Sequence, residues 1–155
     1  MVKNHFTATG IVFNYKNEIL MILHNKLQVW LPPGGHINDN ELPEDAVLRE
    51  VFEETGIKAN IISNKRNYTF INKHCVELET PFVVLLEDIE ENGMHNHIDM
   101  IFICNALNND FKLQKREIHG IGWFSIEQIK RLKTYDNVFK IIINASEYRN
   151  NRIAK

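Results

Sequence analysis

The chain has 155 residues, of which 44% are hydrophobic and 25% charged, values of an ordinary globular domain that exclude a disordered chain, a collagen-like repeat and a disulfide scaffold. Twenty acidic against eighteen basic side chains give a net charge of -2, so no global positive field would hold a DNA or RNA backbone, and polymeric nucleic acid is set aside as a partner. The longest apolar runs, residues 82–86 and 141–143, fall far short of the roughly 20 residues of a membrane span, and no basic stretch followed by an apolar one opens the chain. The expectation is one soluble cytoplasmic domain over residues 1–155, with no membrane partner. Cys75 and Cys104 lie 29 positions apart without a CxxC pattern, which predicts two reduced, buried thiols.

Apolar residues alternate or cluster over residues 6–13 and 19–23 around Tyr15-Lys16-Asn17, the pattern of a hairpin. Residues 29–31 read as a short third strand, stopped by Pro32-Pro33-Gly34-Gly35 because proline cannot donate to a ladder. A loop to about Leu42 follows. Pro43 suits the first turn of a helix, Glu44 and Asp45 favour its positive end, and Gly56 is a stop, so a helix is predicted over residues 43–55. Residues 57–62, 68–71, 76–86 and 98–106 are rich in β-branched and aromatic side chains and read as strands, with 87–96 as a polar connector. After an irregular stretch over 108–120, residues 122–124 predict a short strand, and Ser125-Ile126-Glu127-Gln128 has the capping-box pattern of a helix start. A last helix is expected over residues 137–148, with Val138, Ile142 and Ala145 on one side. Strands, helix, strands, helices in that order suggest an α/β fold, a mixed sheet with helices on its faces.

The chemistry concentrates in residues 35–57. Glu50, Glu53 and Glu54 stand at i, i+3 and i+4, so three carboxylates share one helix face. Val47, Leu48, Val51, Phe52 and Thr55 take the other side, which predicts an apolar anchor and an acidic face kept out of the core. Two like charges about 4 Å apart repel by roughly 4 kcal/mol at an effective dielectric near 20. Arg49 is expected to neutralise one of them; a divalent cation can hold several, and an all-oxygen set favours Mg²⁺ or Mn²⁺ over zinc. A solvated acidic face is the plain alternative for such a pattern taken alone.

The spacing decides between them. Gly35, Glu41, Arg49-Glu50-Val51, Glu53-Glu54 and Gly56-Ile57 reproduce the pattern G-x5-E-x7-R-E-U-x-E-E-x-G-U, where U is bulky and aliphatic, and the chain therefore resembles the Nudix hydrolases. Seven of those positions demand one residue type at a frequency of about 7% each, so a chance match at a given start is on the order of one in 10⁸. The Trp-Leu-Pro-Pro-Gly-Gly approach to the box and the Trp123-Phe124 strand before a capped helix extend the likeness over most of the chain.

The resemblance implies a Nudix-type α/β/α sandwich with a mixed β-sheet, and Mg²⁺ as cofactor with Mn²⁺ as substitute. It implies that Glu53 and Glu54 are the main metal ligands, that Glu50 binds metal or acts as general base, and that Arg49 orients these glutamates. Glu41 would be a supporting carboxylate, and the carbonyl of Gly34 a further ligand. A carboxylate from the loop before the tryptophan strand often joins them, as a ligand or as the general base in place of Glu50; Glu117 fits that place, with Asp110 and Glu127 as competitors. The reaction implied is attack by water on a diphosphate bridge of a small nucleotide. The MutT-like branch, taking a nucleoside triphosphate to monophosphate and pyrophosphate, matches a short chain without a diagnostic segment after the box. A nucleotide sugar or other diphosphate conjugate is the alternative substrate, and a non-catalytic nucleotide-sensing module the alternative of another class. A homodimer stays open. An isomerase of isopentenyl diphosphate is set aside, because no Asn-x-x-Cys-x-His-like order occurs around Cys75.

Three weaker features remain. His95, His97 and Asp99 alternate along a strand entrance and could bind metal, although a turn leading into a strand is the preferred reading; a similar His-x-Asp strand start accompanies a Pro-Gly-Gly-His approach like Pro33 to His36 in Nudix proteins, and that resemblance implies substrate contact or structural hydrogen bonding there. Asn38-Asp39-Asn40-Glu41 lacks the glycine and distant glutamate of a calcium loop. Phe6, Trp30, Tyr68 and Phe70 could stack on a nucleobase, but lone aromatics in strands are more often core.

Overall fold

The structure is a computed structural model, and it describes residues 2–62, 65–66, 72–89, 93–112 and 118–153. Its strands are β1 (Lys3–Phe13), β2 (Ile19–His24), β3 (Val29–Leu31), β4 (Gly34–His36), β5 (Ala59–Ile61), β6 (Val83–Asp88), β7 (His95–Ala106) and β8 (Ile118–Phe124). The helices are α1 (Pro43–Thr55), α2 (Ile126–Ile129) and α3 (Asp136–Ile153). The strands form one eight-stranded sheet with the path β3-β2-β1-β7-β5, while β4 pairs with β1, β6 with β7 and β8 with β2. β1 runs parallel to β7 along its whole length, from Lys3 opposite His95 to Phe13 opposite Asn105, and the other pairings are antiparallel. The sheet is therefore mixed, as expected.

Alternation along β1 and β7 divides the core in two. Ala8, Val12, Phe102 and Cys104 face Ala46, Val47 and Val51 of α1. Ile11, Phe13, Ile101 and Ile103 face the other way, against Ile129 of α2 and Ile142 and Ala145 of α3. Where α1 crosses β1, a Cβ on Gly10 would stand 2.9 Å from Val51 and 3.2 Å from Val47, so the absent side chain lets the helix lie close to the sheet.

Helix α1 has the predicted bounds. Pro43 starts it, Leu42 provides no side-chain cap, and Gly56 ends it at φ 72° with its N–H donating to the Phe52 carbonyl. The reciprocal capping box of Ser125 and Gln128 is formed, at the head of a helix only four residues long.

Several sequence expectations change. β1 and β2 meet only at Phe13 and Ile19, because β1 leaves the hairpin to pair with β7 and β4. Gly34–His36, expected as loop, is a strand on β1. Only Val83–Asp88 of the long strand predicted over 76–86 pairs, and it continues into the expected connector. Pro81 cannot extend the ladder, and the N–H of Glu79 goes to the Glu44 carboxylate instead. β7 begins at His95, three residues early, and β8 at Ile118; both gain residues from partner strands that no local pattern announces. β5 is shorter than residues 57–62, and α3 is longer than 137–148 at both ends. Cys104 is buried and free, whereas Cys75 is free but exposed, beside a bridge between it and Asn72 rather than in the core. The strand predicted over 68–71, with Tyr68 and Phe70, lies outside the described residues. Among the described residues no helix is long and apolar enough to cross a membrane.

Candidate active site

Glu50 and Glu54 point back toward β4. They are 6% and 8% exposed, which corrects the expectation of an acidic face outside the core; only Glu53, with a side chain 44% exposed, opens to solvent. Two glycines make the burial feasible. A Cβ on Gly35 would lie 2.6–2.8 Å from the carboxyl atoms of Glu50, and one on Gly34 would lie 2.7–2.8 Å from the Ala8 carbonyl and from Thr9. The N–H of Gly34 donates to the Glu54 carboxylate at 3.0 Å. β4 therefore packs bare backbone against the acidic turn of α1. Phe52, assigned to the apolar side, is 41% exposed, and Ala46, Val47, Val51 and Thr55 are the anchors.

Arg49 gathers the carboxylates. Its Nε and Nη2 donate to the two oxygens of Glu41 at 2.6 and 2.8 Å, its Nη1 donates to Glu50 at 2.6 Å and to Glu53 at 3.3 Å, and its Nη2 also donates to the His36 carbonyl at 2.9 Å. One guanidinium thus serves three carboxylates rather than the single one expected, because five N–H groups in a fixed fork reach in several directions. The hydrogen bond from Arg49 holds the Glu41 carboxyl below its ordinary range, and that bond, followed by the one to Glu50, raises the pKa of Arg49. Glu41 is fixed from its other side by the N–H of Asn38 at 2.9 Å. Gly34, Glu41, Arg49, Glu50, Glu53 and Glu54 accordingly meet at one place.

Glu117 lies outside the described residues. Its competitors Asp110 and Glu127 are exposed, and the Trp123 indole N–H donates to the Asn109 carbonyl.

A cleft of about 590 Å³ opens between the start of β1 and the loop carrying Glu41, lined among others by His5, Phe6, His36, Ile37, Asn38 and Glu41. Its size suits a small ligand. Phe6 stands 52% exposed there, contrary to the reading of it as core, whereas Trp30 packs edge-on against Phe124 at 5.0 Å.

His95 and His97 come together with His5, which sequence reading missed, and with His36, which it noted only as the end of the Pro33-to-His36 approach. The ring centroids of His5 and His95 are 4.8 Å apart, and those of His36 and His97 are 5.0 Å apart. His5, His95 and His97 each offer a ligand nitrogen within 4.8 Å of the others, a group able to coordinate a metal. The signal was scattered: His5 lies 90 positions from His95, and only the parallel pairing of β1 with β7 unites them. Asp99 stays out of the cluster, with its Oδ1 accepting from the hydroxyls of Thr7 at 2.9 Å and Thr9 at 3.0 Å.

The NUDIX domain profile matches residues 3–144. The m7GpppN-mRNA hydrolase dcap-2 of Caenorhabditis elegans is 32% identical over 110 residues, 68% of this chain and 11% of that protein. The 8-oxo-dGTP diphosphatase of Escherichia coli is 40% identical over 76 residues, 43% of this chain and 57% of the relative. The chain thus spans well under two thirds of the length of these curated relatives. A solved hydrolase of the NUDIX family from Clostridium perfringens superposes with a TM-score of 0.81 at 28% identity, covering 95% of this chain and 99% of that one. With every box position filled on and around α1, the sandwich formed about it, and the domain profile running from β1 into α3, the chain belongs to the Nudix family.

Proposed function

We propose that the chain is a metal-dependent hydrolase of phosphoanhydride bonds in small nucleotides, and that it takes a nucleoside triphosphate to the monophosphate and pyrophosphate. The observation that carries the reading is the convergence of Glu50 and Glu53 on Arg49, with Glu54 on the same helix turn accepting from the Gly34 N–H, beside the bare backbone of Gly34 and Gly35. An all-oxygen donor set of three carboxylates, with the Gly34 carbonyl as a further ligand, fits Mg²⁺, and Mn²⁺ as its substitute. The ion, when bound, supplies Lewis acidity toward phosphoryl oxygens and lowers the pKa of a coordinated water.

The protein's own residues do the rest. Glu50 is the leading general base: it takes the proton of the attacking water as the oxygen bonds to phosphorus and the bridging P–O bond breaks toward the leaving pyrophosphate. Arg49 is a positioning residue that holds Glu50 and Glu53 in place and is itself held by Glu41 and the His36 carbonyl. Phe6, exposed in the cleft, offers a face for the base to stack on. The whole-chain charge of -2 does not oppose an anionic substrate, since a bound cation and Arg49 set the local field.

The test is a panel of nucleoside triphosphates, nucleotide sugars, ADP-ribose, dinucleoside polyphosphates and a capped RNA oligonucleotide with Mg²⁺, read by product chromatography. Pyrophosphate released from a triphosphate is the expected result. Turnover confined to diphosphate conjugates, or to capped RNA, would replace the substrate and keep the chemistry; binding without turnover of any of them would make the domain a nucleotide sensor.

A further inference from the structure

The four histidines lie on the sheet face opposite α1. In the parallel β1–β7 ladder His5 stands opposite His97, with His95 two residues back on the same face, and in the β1–β4 ladder His36 stands opposite Thr7, next along β1 on that face. Their side chains converge. His5 Nδ1 is 3.3 Å from His36 Nε2 and 3.2 Å from His95 Nε2. Nitrogens bound tetrahedrally to zinc at about 2.0–2.1 Å stand about 3.3–3.4 Å apart, so the His5–His95 separation is close to that of two ligands around one ion, and His97 offers a third nitrogen within 4.8 Å of both. A network of imidazole hydrogen bonds would give similar distances, but it leaves a second observation unexplained. Nε2 of His97 is buried and has no hydrogen-bond partner among the described residues, an arrangement that is destabilising unless something satisfies the atom. Burial, reinforced by His36, His95 and His5, pushes the pKa of His97 down to about 4, leaving the neutral ring that coordinates metal.

We propose that His5, His95 and His97, with His36 beside them, bind a transition-metal ion of the zinc class at a site separate from the carboxylates of α1. Imidazole nitrogen selects Zn²⁺, Co²⁺ or Ni²⁺ and disfavours Mg²⁺, which takes oxygen ligands. The ion would tie β1, β4 and β7 together beside the cleft. It does not depend on the hydrolytic reading, because none of its ligands belongs to the acidic set.

The test uses the full chain without a polyhistidine tag, stripped by chelator and titrated with Co²⁺ alone. The expected result is one equivalent bound with the intense visible absorption of a four-coordinate nitrogen-ligated ion, its displacement by one equivalent of Zn²⁺, and a Zn²⁺-dependent rise in Tm. His5→Gln, an exposed position where folding is not at stake, should weaken Zn²⁺ binding by about tenfold or more. His97→Leu should abolish the absorption, with the Tm of the stripped variant showing that it folds. The Glu53→Gln/Glu54→Gln double variant should leave the absorption intact. A weak, six-coordinate spectrum, or one that survives both histidine changes and disappears with the glutamates, overturns the proposal.

Discussion

Arg49 shows how much one side chain can organise. Its guanidinium spans Glu41 on the loop, Glu50 and Glu53 on its own helix, and the carbonyl of His36 on β4. The two glycines facing this helix separate function from stability. Gly35→Ala would place a methyl group 2.6–2.8 Å from the end of the Glu50 side chain, which can swing away, so kcat should fall by about 10²-fold through misplacement while Tm changes little. Gly34→Ala meets backbone at 2.7–2.8 Å, so it should cost about 1–3 kcal/mol in denaturant unfolding. Equal stability losses in the two variants would contradict this division.

Asp99 allows a test by pH. It is 5% exposed, and burial raises the pKa of its carboxyl despite the hydroxyls of Thr7 and Thr9. With a folded pKa above the unfolded value of about 3.9, its favourable contribution is complete below that value and is lost as pH rises through the folded pKa. Above that folded pKa a buried charge remains, so there Asp99→Asn should raise Tm by ~2–4 °C, a change of about 1 kcal/mol in a domain of this length. The gain should shrink as pH falls toward 4, and a gain that grows on acidification would refute the account. The identities of the acidic residues were legible in the sequence; the reach of Arg49, the burial of Glu50 and Glu54 and the meeting of His5 with His97 were not, because each depends on strands far apart in the chain.

Among the elements, α1 could be read to the residue. Proline at its first position and glycine at its end act locally and need no tertiary partner. Gly56 holds φ 72°, so Gly56→Ala should destabilise by about 1–2 kcal/mol, measured by denaturant unfolding; a loss well under that would mean the chain end can adopt another cap. β4 shows the opposite case. Pro-Gly-Gly reads as loop, yet Gly34 and Gly35 pair with Thr9 and Ala8 because the site needs backbone close to α1. The early start of β7 likewise follows from its long parallel pairing with β1, a contact between residues 92 apart.

At the scale of the molecule, the mixed sheet carries α1 on one face and α2 and α3 on the other. Arg149, 8% exposed on α3, ties the second layer to the first hairpin by donating to Asn17 at 2.6 Å and to Asn105 of β7 at 3.1 Å. The sandwich was legible from element order and the box; the sheet order was not, since β1 sits between strands that hydrophobic alternation cannot rank. The fold thereby presses one acidic helix turn against bare strand backbone, and the central claim is that this turn performs metal-dependent phosphoanhydride hydrolysis. The most direct measurement is turnover of nucleoside triphosphates by the chelator-stripped chain before and after Mg²⁺ or Mn²⁺ is added, alongside Glu53→Gln and Glu54→Gln. Activity absent without metal, restored by either ion and reduced by several powers of ten in the folded variants is the predicted result; full activity after exhaustive chelation, or in the variants, would contradict it.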